Sequence, residues 1–280
     1  MKIAANRISL FFFGLLLQSD LTMGANGKLL GTPGVATIEG SAGGGLVPWA
    51  QLAGYASRDE ISASGYCSQS NVKDFTLNSC GLQINLFDRL ELAAAQQNFT
   101  VEPLNVDVSQ KIISAKLRVY GDIIYSRWPQ ISLGLQAKTL KDPWVIDTFG
   151  AVSDKGTDIY IAASKLHLAA IVGRNAFWNI TLRSTQANQL GLFGFGSQDH
   201  GRQLQIEASS ALFLNPHWAI GLEYRQKPNN LATPEDDWAD LFIAWFPSKR
   251  INVTAAFLDL GEIAGIQDQT GWHLSLMANY

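Results

Sequence analysis

The chain has 280 residues, of which 47% are hydrophobic and only 16% are charged, whereas an ordinary soluble domain has roughly 25% charged residues. This composition excludes a disordered protein, which combines low hydrophobicity with high net charge. The 21 Lys and Arg against 24 Asp and Glu give a net charge of -3, which argues against a nucleic-acid-binding protein because such a protein needs an excess of positive charge.

The N-terminus has the pattern of an export signal. Lys2 and Arg7 are followed by an apolar run over residues 8–17, and the small residues Gly24 and Ala25 come after a short polar step. The apolar run is too short for a spanning helix and is typical of a secretory signal peptide. We therefore predict a signal peptide over residues 1–24.

Residues 25–45 form a Gly-rich segment that includes Glu39. Its small side chains suit a close approach of the backbone to other groups and make a poor lipid-facing strand. One hypothesis places the segment across the lumen of a barrel as a constriction, with Glu39 facing the path. A periplasmic linker or a Gly-rich first strand explains the segment equally well.

The chain has two cysteines, Cys67 and Cys80. Export predicts an oxidising compartment, where a single disulfide closing this short loop would be stable. Two free thiols are the alternative. The spacing does not resemble a metal site, and the sequence predicts neither a metal nor a cofactor.

Most of the remaining chain alternates between apolar and polar residues with a period of two, which predicts strands. The last segment shows it well, because Trp272, Leu274 and Leu276 share one face and His273 and Ser275 share the other. We predict twelve strands, over residues 46–57, 74–85, 89–99, 111–124, 130–140, 157–171, 177–186, 202–213, 217–226, 238–246, 251–259 and 270–280.

Short and long connections alternate between these strands, as in outer-membrane barrels. No run of about 18 apolar residues follows the N-terminus, so a membrane protein of this sequence would cross as strands, and only a closed barrel pairs every backbone group in lipid. The predicted fold is therefore all-β, a single antiparallel transmembrane β-barrel over residues 46–280 with about 12 strands, short periplasmic turns and longer extracellular loops. A secreted β-sandwich or lipocalin-like barrel is the soluble alternative, but its surface would need more charge.

Aromatic residues near the predicted strand ends fit the girdles that such barrels place at the membrane interfaces; they are Trp128, Trp178, Trp218, Trp245, Trp272 and Tyr280. Tyr280 ends an outward-facing last strand. This ending resembles the signal that the bacterial barrel-assembly machinery recognises.

If the apolar faces meet lipid, the opposite faces line a lumen. The residues expected there are mixed in charge, with six Lys or Arg and four Asp or Glu, which would favour small polar or anionic solutes. Pairing of these charges across a narrow lumen, closing it, is the alternative. The set is Glu91, Lys116, Arg118, Lys138, Lys165, His167, Arg183, Glu207, Glu223, Arg225, Asp240 and His273.

Motifs for catalysis are scarce. The sequence has no phosphate-binding loop, no zinc-protease motif and no Gly-x-Ser-x-Gly turn. His273 and Ser275 share a face and resemble the His-x-Ser pair of outer-membrane lipid deacylases, although no acidic partner follows them. The Gly-rich run over residues 191–196 is interpreted as a hydrophobic loop that dips into lipid headgroups.

The run GGGLVPWA over residues 43–50, with Asp74-Phe75-Thr76-Leu77 and Leu86-Phe87-Asp88-Arg89-Leu90, resembles an exported proteobacterial domain-of-unknown-function family, number 3034. The resemblance spans nearly the whole exported chain. It implies an outer-membrane barrel-like protein and no particular activity.

The sequence thus predicts an outer-membrane barrel of a Gram-negative bacterium that is not an enzyme and acts as a passive channel or binder for small polar or anionic solutes. The first alternative is a structural or assembly barrel with a sealed lumen, and the second is an outer-membrane lipid hydrolase. The expected partners are outer-membrane lipid, the export and barrel-assembly machineries during biogenesis, and a small solute, with no nucleic acid.

Overall fold

A computed structural model describes residues 27–231 and 235–280. Two short strands come first, β1 (Val35–Ala36) and β2 (Ala42–Gly43). Twelve long strands follow: β3 (Ile61–Val72), β4 (Phe75–Leu86), β5 (Leu90–Val101), β6 (Val106–Tyr120), β7 (Gln130–Leu140), β8 (Lys155–Ile171), β9 (Arg174–Thr185), β10 (Gln203–Asn215), β11 (Trp218–Arg225), β12 (Trp238–Ser248), β13 (Ile251–Asp259) and β14 (Thr270–Asn279).

The twelve long strands form one closed antiparallel barrel in which each strand pairs with its neighbours in sequence. β14 closes the barrel against β3, with Leu276 opposite Cys67. The only helices in the described residues are α1 (Trp144–Phe149) and a 3-10 turn at Asn188–Gly191, and neither is long and apolar enough to cross a membrane.

The alternation in sequence explains why these segments form the barrel wall. In β12 the side chains of Leu241, Ile243 and Trp245 are exposed on the outside, whereas Asp240 and Phe242 are buried inside. The same alternation covers the outside of β13 and β14 with apolar groups. The predicted fold class, a closed antiparallel barrel of twelve strands, is confirmed.

The position of the first strand was predicted wrongly. The barrel begins at Ile61, not at residue 46, and β3 occupies a stretch that the sequence placed in a long loop. The inner face of β3 carries Ser62, Ser64, Ser68 and Ser70, and its outer face is only weakly apolar, so alternation is hard to detect there. The more apolar residues 46–57 lie inside the barrel instead.

The connections differ at the two ends of the barrel. The end that holds the start of β3 and the end of β14, here called the short-turn end, has tight turns such as 172–173, 216–217 and 249–250 and one longer connection at 121–129. The opposite, long-loop end has connections over 141–154, 186–202, 226–237 and 260–269. Two predicted long loops are short there, at 73–74 and 102–105.

Two segments fill the barrel. Residues 31–56, here called the plug, are buried along their whole length. Residues 187–196, here called the lid, are also buried and close the long-loop end. Phe193 of the lid stacks on Phe149 of α1 with ring centroids 4.2 Å apart. The interior is therefore a packed core made from the wall, the plug and the lid.

Candidate functional site

The plug is a hairpin that enters and leaves the barrel at the short-turn end. β1 and β2 pair through Val35 with Gly43 and Ala36 with Ala42, and Glu39 lies at the tip between them. The tip turns at Gly40, which has a φ of 94° that favours glycine. At the mouth, the Gly31 N–H donates to the Tyr55 hydroxyl over 3.1 Å, so the two ends of the plug are adjacent. Burial raises the pKa of Tyr55 to about 12.

Polar side chains of the wall hydrogen-bond the plug backbone. Gln97 donates to the Ile38 carbonyl over 2.7 Å, Gln83 to the Gly40 carbonyl over 2.8 Å and Thr181 to the Pro48 carbonyl over 2.8 Å. Buried backbone groups need such partners. The polar inner face that the sequence assigned to a solute path therefore serves the chain's own N-terminal segment.

Glu39 is the centre of a buried ion-pair network near the long-loop end. It contacts Lys138, Arg225 at 2.8 Å and Arg183 at 3.4 Å. Asp158 lies 2.7 Å from Lys138, and Glu207 lies 2.6 Å from Arg183. Three cations thus meet three carboxylates, and the network is neutral.

The charges of this network control the ionisation of Glu39. Burial alone would raise the pKa of the Glu39 carboxyl, but Arg225, Lys138 and Arg183 hold that pKa well below its usual range. Glu39 is therefore an anion at neutral pH, and its attraction to the three cations fixes the tip of the plug.

A second anchor lies nearer the short-turn end. Glu91 of β5 accepts hydrogen bonds from the backbone N–H groups of Ala42 at 3.1 Å and Ala53 at 2.8 Å. Lys116 of β6 lies 3.3 Å from Glu91 and donates to the carbonyls of Ala42 and Gln51. One ion pair thereby binds both arms of the hairpin.

The opposite wall holds the GGGLVPWA turn. Glu223 accepts a hydrogen bond of 2.7 Å from the Leu46 N–H and another of 2.7 Å from Ser209. Trp49 donates to the same Ser209 over 2.9 Å and packs on Phe177, with ring centroids 4.3 Å apart. A side chain at Gly44 would overlap the Glu223 carboxyl, which explains the need for glycine there.

The structure places most of the predicted lumen residues inside the barrel. Those buried there are Glu91, Lys116, Lys138, Arg183, Glu207, Glu223, Arg225, Asp240 and His273. Arg118 lies at the short-turn end, where it pairs with Asp88 and with Asp122 at 2.9 Å. Lys28 joins the same cluster through Asp88 at 2.7 Å.

Two of the predicted lumen residues were assigned to the wrong face of their strand. Lys165 and His167 lie on the outer face of β8, because Asp158, Tyr160 and Ala162 take the inward positions. Lys165 donates to backbone carbonyls of the connection over 121–129, and His167 accepts a hydrogen bond from Trp178 over 3.1 Å. Both faces of β8 are apolar in sequence, so the alternation did not fix which face points inward.

These changes remove the positive bias that the sequence suggested for the lumen. Lys165 leaves the interior, and Asp158 and Glu39 join it. Asp158 was missed although an aspartate within a predicted strand was a signal for an inward position. No preference for anions follows from the revised set.

The His273 and Ser275 pair does not form the contact that nucleophilic catalysis requires. His273 Nδ1 hydrogen-bonds Ser70 over 2.8 Å, and Ser275 Oγ has no hydrogen-bond partner among the described residues. Both side chains are buried behind the plug.

Three further predicted features can be located. Cys67 and Cys80 sit opposite each other on β3 and β4 and form a disulfide on the outer face. Tyr280 is exposed, and its backbone pairs with Ala63 of β3. Phe193 and Phe195, expected to dip into lipid headgroups, are instead buried in the lid.

The predicted signal peptide over residues 1–24 lies outside the described residues. Of the predicted Gly-rich segment 25–45, the described part runs into the plug, and Glu39 lies in the lumen. The segment fills the lumen together with residues 46–56, so it is more than a local constriction.

The fold is similar to those of solved barrels. The KdgM porin has a TM-score of 0.51 and 8% identity, with 78% of this chain and 99% of that chain covered. The outer membrane protein Omp33 from Acinetobacter baumannii has a TM-score of 0.48 and 8% identity, with 80% of this chain and 100% of that chain covered. No curated protein sequence matches the chain.

The family model described as "Protein of unknown function (DUF3034)" matches residues 32–277, which include the plug and almost the whole barrel. The chain belongs to this family.

Proposed function

We propose that this protein is an outer-membrane channel of a Gram-negative bacterium whose lumen is held shut by its own plug. Small polar solutes would pass after the plug moves. The observation that carries the proposal is the burial of residues 31–56 inside a porin-like barrel, held there by side-chain contacts and by no disulfide. The outward apolar face supports a place in lipid.

The interior chemistry supports a removable plug. The wall carries side chains such as Gln83, Gln97 and Lys138, which are polar enough to hydrate once the plug leaves. A permanently packed core would be more stable with apolar residues of similar volume, because buried ion pairs often add little net stability. A polar interior is thus better suited to a lumen that opens than to one that never does.

A sealed barrel with a structural role is the second candidate. It is favoured by the neutrality of the Glu39 network and by the lid, because the two together close the long-loop end. In this case the working surface would be the long loops. The comparison with solved barrels shows the fold and does not separate the two candidates.

Planar-bilayer recording tests the proposal. The full-length protein should be mostly closed, with rare openings, and a variant lacking residues 34–45 should conduct for most of the recording. Unboiled and boiled samples in gel electrophoresis provide the control, because a folded barrel changes mobility on boiling. If the folded deletion variant carries no current at any voltage, the channel proposal is wrong and the sealed barrel is favoured.

A further inference from the structure

The backbone of the lid has an unfavourable conformation. Gln189 and Leu190 have φ values of 41° and 64°, in the left-handed region that residues other than glycine rarely occupy. Both residues are buried, with 3% and 2% of their surfaces exposed. Such a conformation costs free energy and persists only where the surrounding structure imposes it. The closed form of the lid therefore depends on the groups that contact these two residues.

Lys138 of β7 contacts both the lid and the tip of the plug. Its ammonium group donates to the Leu190 carbonyl over 3.1 Å and forms an ion pair with Glu39. It also lies 2.7 Å from Asp158, and these three acceptors match the three N–H donors of an ammonium group. If Glu39 withdrew, water would take its place on Lys138, and the bond to Leu190 would then form in competition with water.

A second connection between plug and lid runs beside the first. The Leu190 carbonyl also accepts a hydrogen bond from Gln110 over 3.2 Å, and Gln110 donates to Gln97. Gln97 in turn donates to the Ile38 carbonyl of the plug over 2.7 Å. Ile38 and Leu192 of the lid line the same largely apolar cavity of about 30 Å³. Withdrawal of the plug would expose the apolar surface of the lid to water, which is unfavourable.

Other contacts of the lid do not involve the plug. The Gln189 N–H donates to both carboxylate oxygens of Glu235 over 3.1 Å, and Lys227 lies 2.9 Å from Glu235. Phe193 stacks on Phe149 of α1. These contacts would remain after the plug withdraws. The lid would then stay attached to the long-loop end, but without the contacts that support it from inside the barrel.

We propose that the lid is a second gate whose closure depends on the plug, with Lys138 and Gln110 as the residues that couple the two. Withdrawal of the plug tip would remove the inner support of the strained lid, and the lid would open towards the long-loop side. The inference rests on the proposed channel for its purpose, because a lumen with two closures conducts only when both are open. The coupling itself is a property of the closed barrel, so it can be measured without any current.

Hydrogen exchange of the full-length protein in detergent, followed by mass spectrometry, tests this coupling. Backbone hydrogen bonds protect amides in both the lid and the plug tip, so the exchange rate of each segment reports how often it opens. Glu39→Gln alters the plug and no lid residue, yet it should speed exchange over residues 187–196 by about tenfold. The exposed Asp59→Asn is the control and should leave exchange in both segments at the wild-type rate.

The reverse direction uses a variant outside both segments. Phe149→Ala removes the ring that stacks on Phe193 of the lid and should speed exchange of the lid. Because coupling between two sites is reciprocal, exchange over residues 37–41 at the plug tip should rise as well. A purely structural role of Phe149 at the surface would leave the plug tip unchanged.

Each outcome decides the coupling. If Glu39→Gln speeds exchange of the plug tip while the lid keeps the wild-type rate, the two segments close independently and the inference is wrong. The same holds if Phe149→Ala affects the lid alone. If Glu39→Gln fails to fold, Gln110→Met replaces it; this variant breaks the second connection and should speed exchange in both segments. Bilayer currents test the channel separately, since a coupled lid in a protein that never conducts would support the coupling and reject the channel.

Discussion

The two sides of the plug are held by opposite electrostatic arrangements. At the tip, Glu39 meets three cations, and every carboxylate of the network has a cationic partner. At the GGGLVPWA turn, Glu223 and Asp240 face the plug with no Lys or Arg partner among the described residues. The tip is therefore held by paired charges, whereas the turn is held by hydrogen bonds such as the one from the Leu46 N–H to Glu223.

This difference indicates where the plug would yield. A fully paired network in a low-dielectric interior resists small changes in the solution, because its charges are fixed and neutralised internally. The tip, with its buried ion pairs, is thus expected to contribute more to the strength of closure than the turn, which has hydrogen bonds alone.

The largest effect is expected from Glu39→Gln. It removes the central anion and leaves three cations to share two carboxylates, and breaking a buried ion pair in this way destabilises by about 3–5 kcal/mol. The open fraction in bilayers and the cleavage of the plug by added protease should both increase strongly. The exposed Asp59→Asn is the control, and equal behaviour of the two variants would show that Glu39 does not hold the plug.

Acid should weaken the hold on the tip of the plug, as Glu39→Gln does, because protonation also removes the negative charge of Glu39. The pKa of Glu39 is lower in the folded protein than the unfolded value of about 4.3. The stabilisation that its ionised carboxylate gives to the plug is therefore complete when the pH is above that unfolded value. It is lost as the pH falls through the folded value. Plug protection against an acid-active protease such as pepsin should therefore persist from pH 7 to pH 5 and decline below about pH 4. In the Glu39→Gln variant this decline in protection should be smaller. If the variant shows the same dependence of protection on pH as the wild type, the decline belongs to another titrating group.

Glu223→Gln should have a smaller effect than Glu39→Gln. The amide keeps one acceptor for the Leu46 N–H but presents an NH₂ group where the carboxylate accepted from Ser209, which costs about 1 kcal/mol in hydrogen bonding. Glu223 has no Lys or Arg partner among the described residues, so this substitution breaks no ion pair. Protease sensitivity of the plug should increase only a few fold, and an effect as large as that of Glu39→Gln would contradict the contrast between the two sides.

The smallest effect on the plug is expected from the double variant Cys67→Ser with Cys80→Ser. The disulfide lies on the outer face and contacts neither anchor. Its removal should lower the unfolding midpoint of the barrel, because a closed loop of this size contributes up to about 3 kcal/mol. Plug cleavage should be unchanged, and an altered rate would show that the wall transmits strain to the plug.

The sequence predicted the wall better than its contents. Alternation in β10 to β14 located strands and faces because lipid and interior impose opposite demands on neighbouring residues. It failed for β8, because that strand carries large hydrophobic side chains on both faces, such as Ile159 on the outer face and Tyr160 on the inner face. It also failed for residues 46–57, which are apolar because they pack inside the barrel and not because they face lipid. The apolar pattern of the sequence does not distinguish a residue that packs inside the barrel from one that faces lipid.

The site was predictable as a set of residues and not as an arrangement. Parity placed Glu91, Arg183 and Glu223 on the inner face, but the partner they bind is a segment remote in sequence. The glycine run at residues 43–45 signalled close contact without naming the contacted group. Only the three-dimensional structure shows that Gly44 leaves room for Glu223.

The adjacency of Gly31 and Tyr55 at the mouth of the barrel has a mechanical consequence. A segment that ran through the barrel from one end to the other could leave only by unthreading a chain end through the whole tube. A hairpin whose two arms share one opening can be withdrawn through that opening while both of its ends stay attached to the rest of the chain. Tension applied to the chain before Gly31 would therefore unzip one arm first, starting at the bond to Tyr55, and would not have to break all the anchors at once.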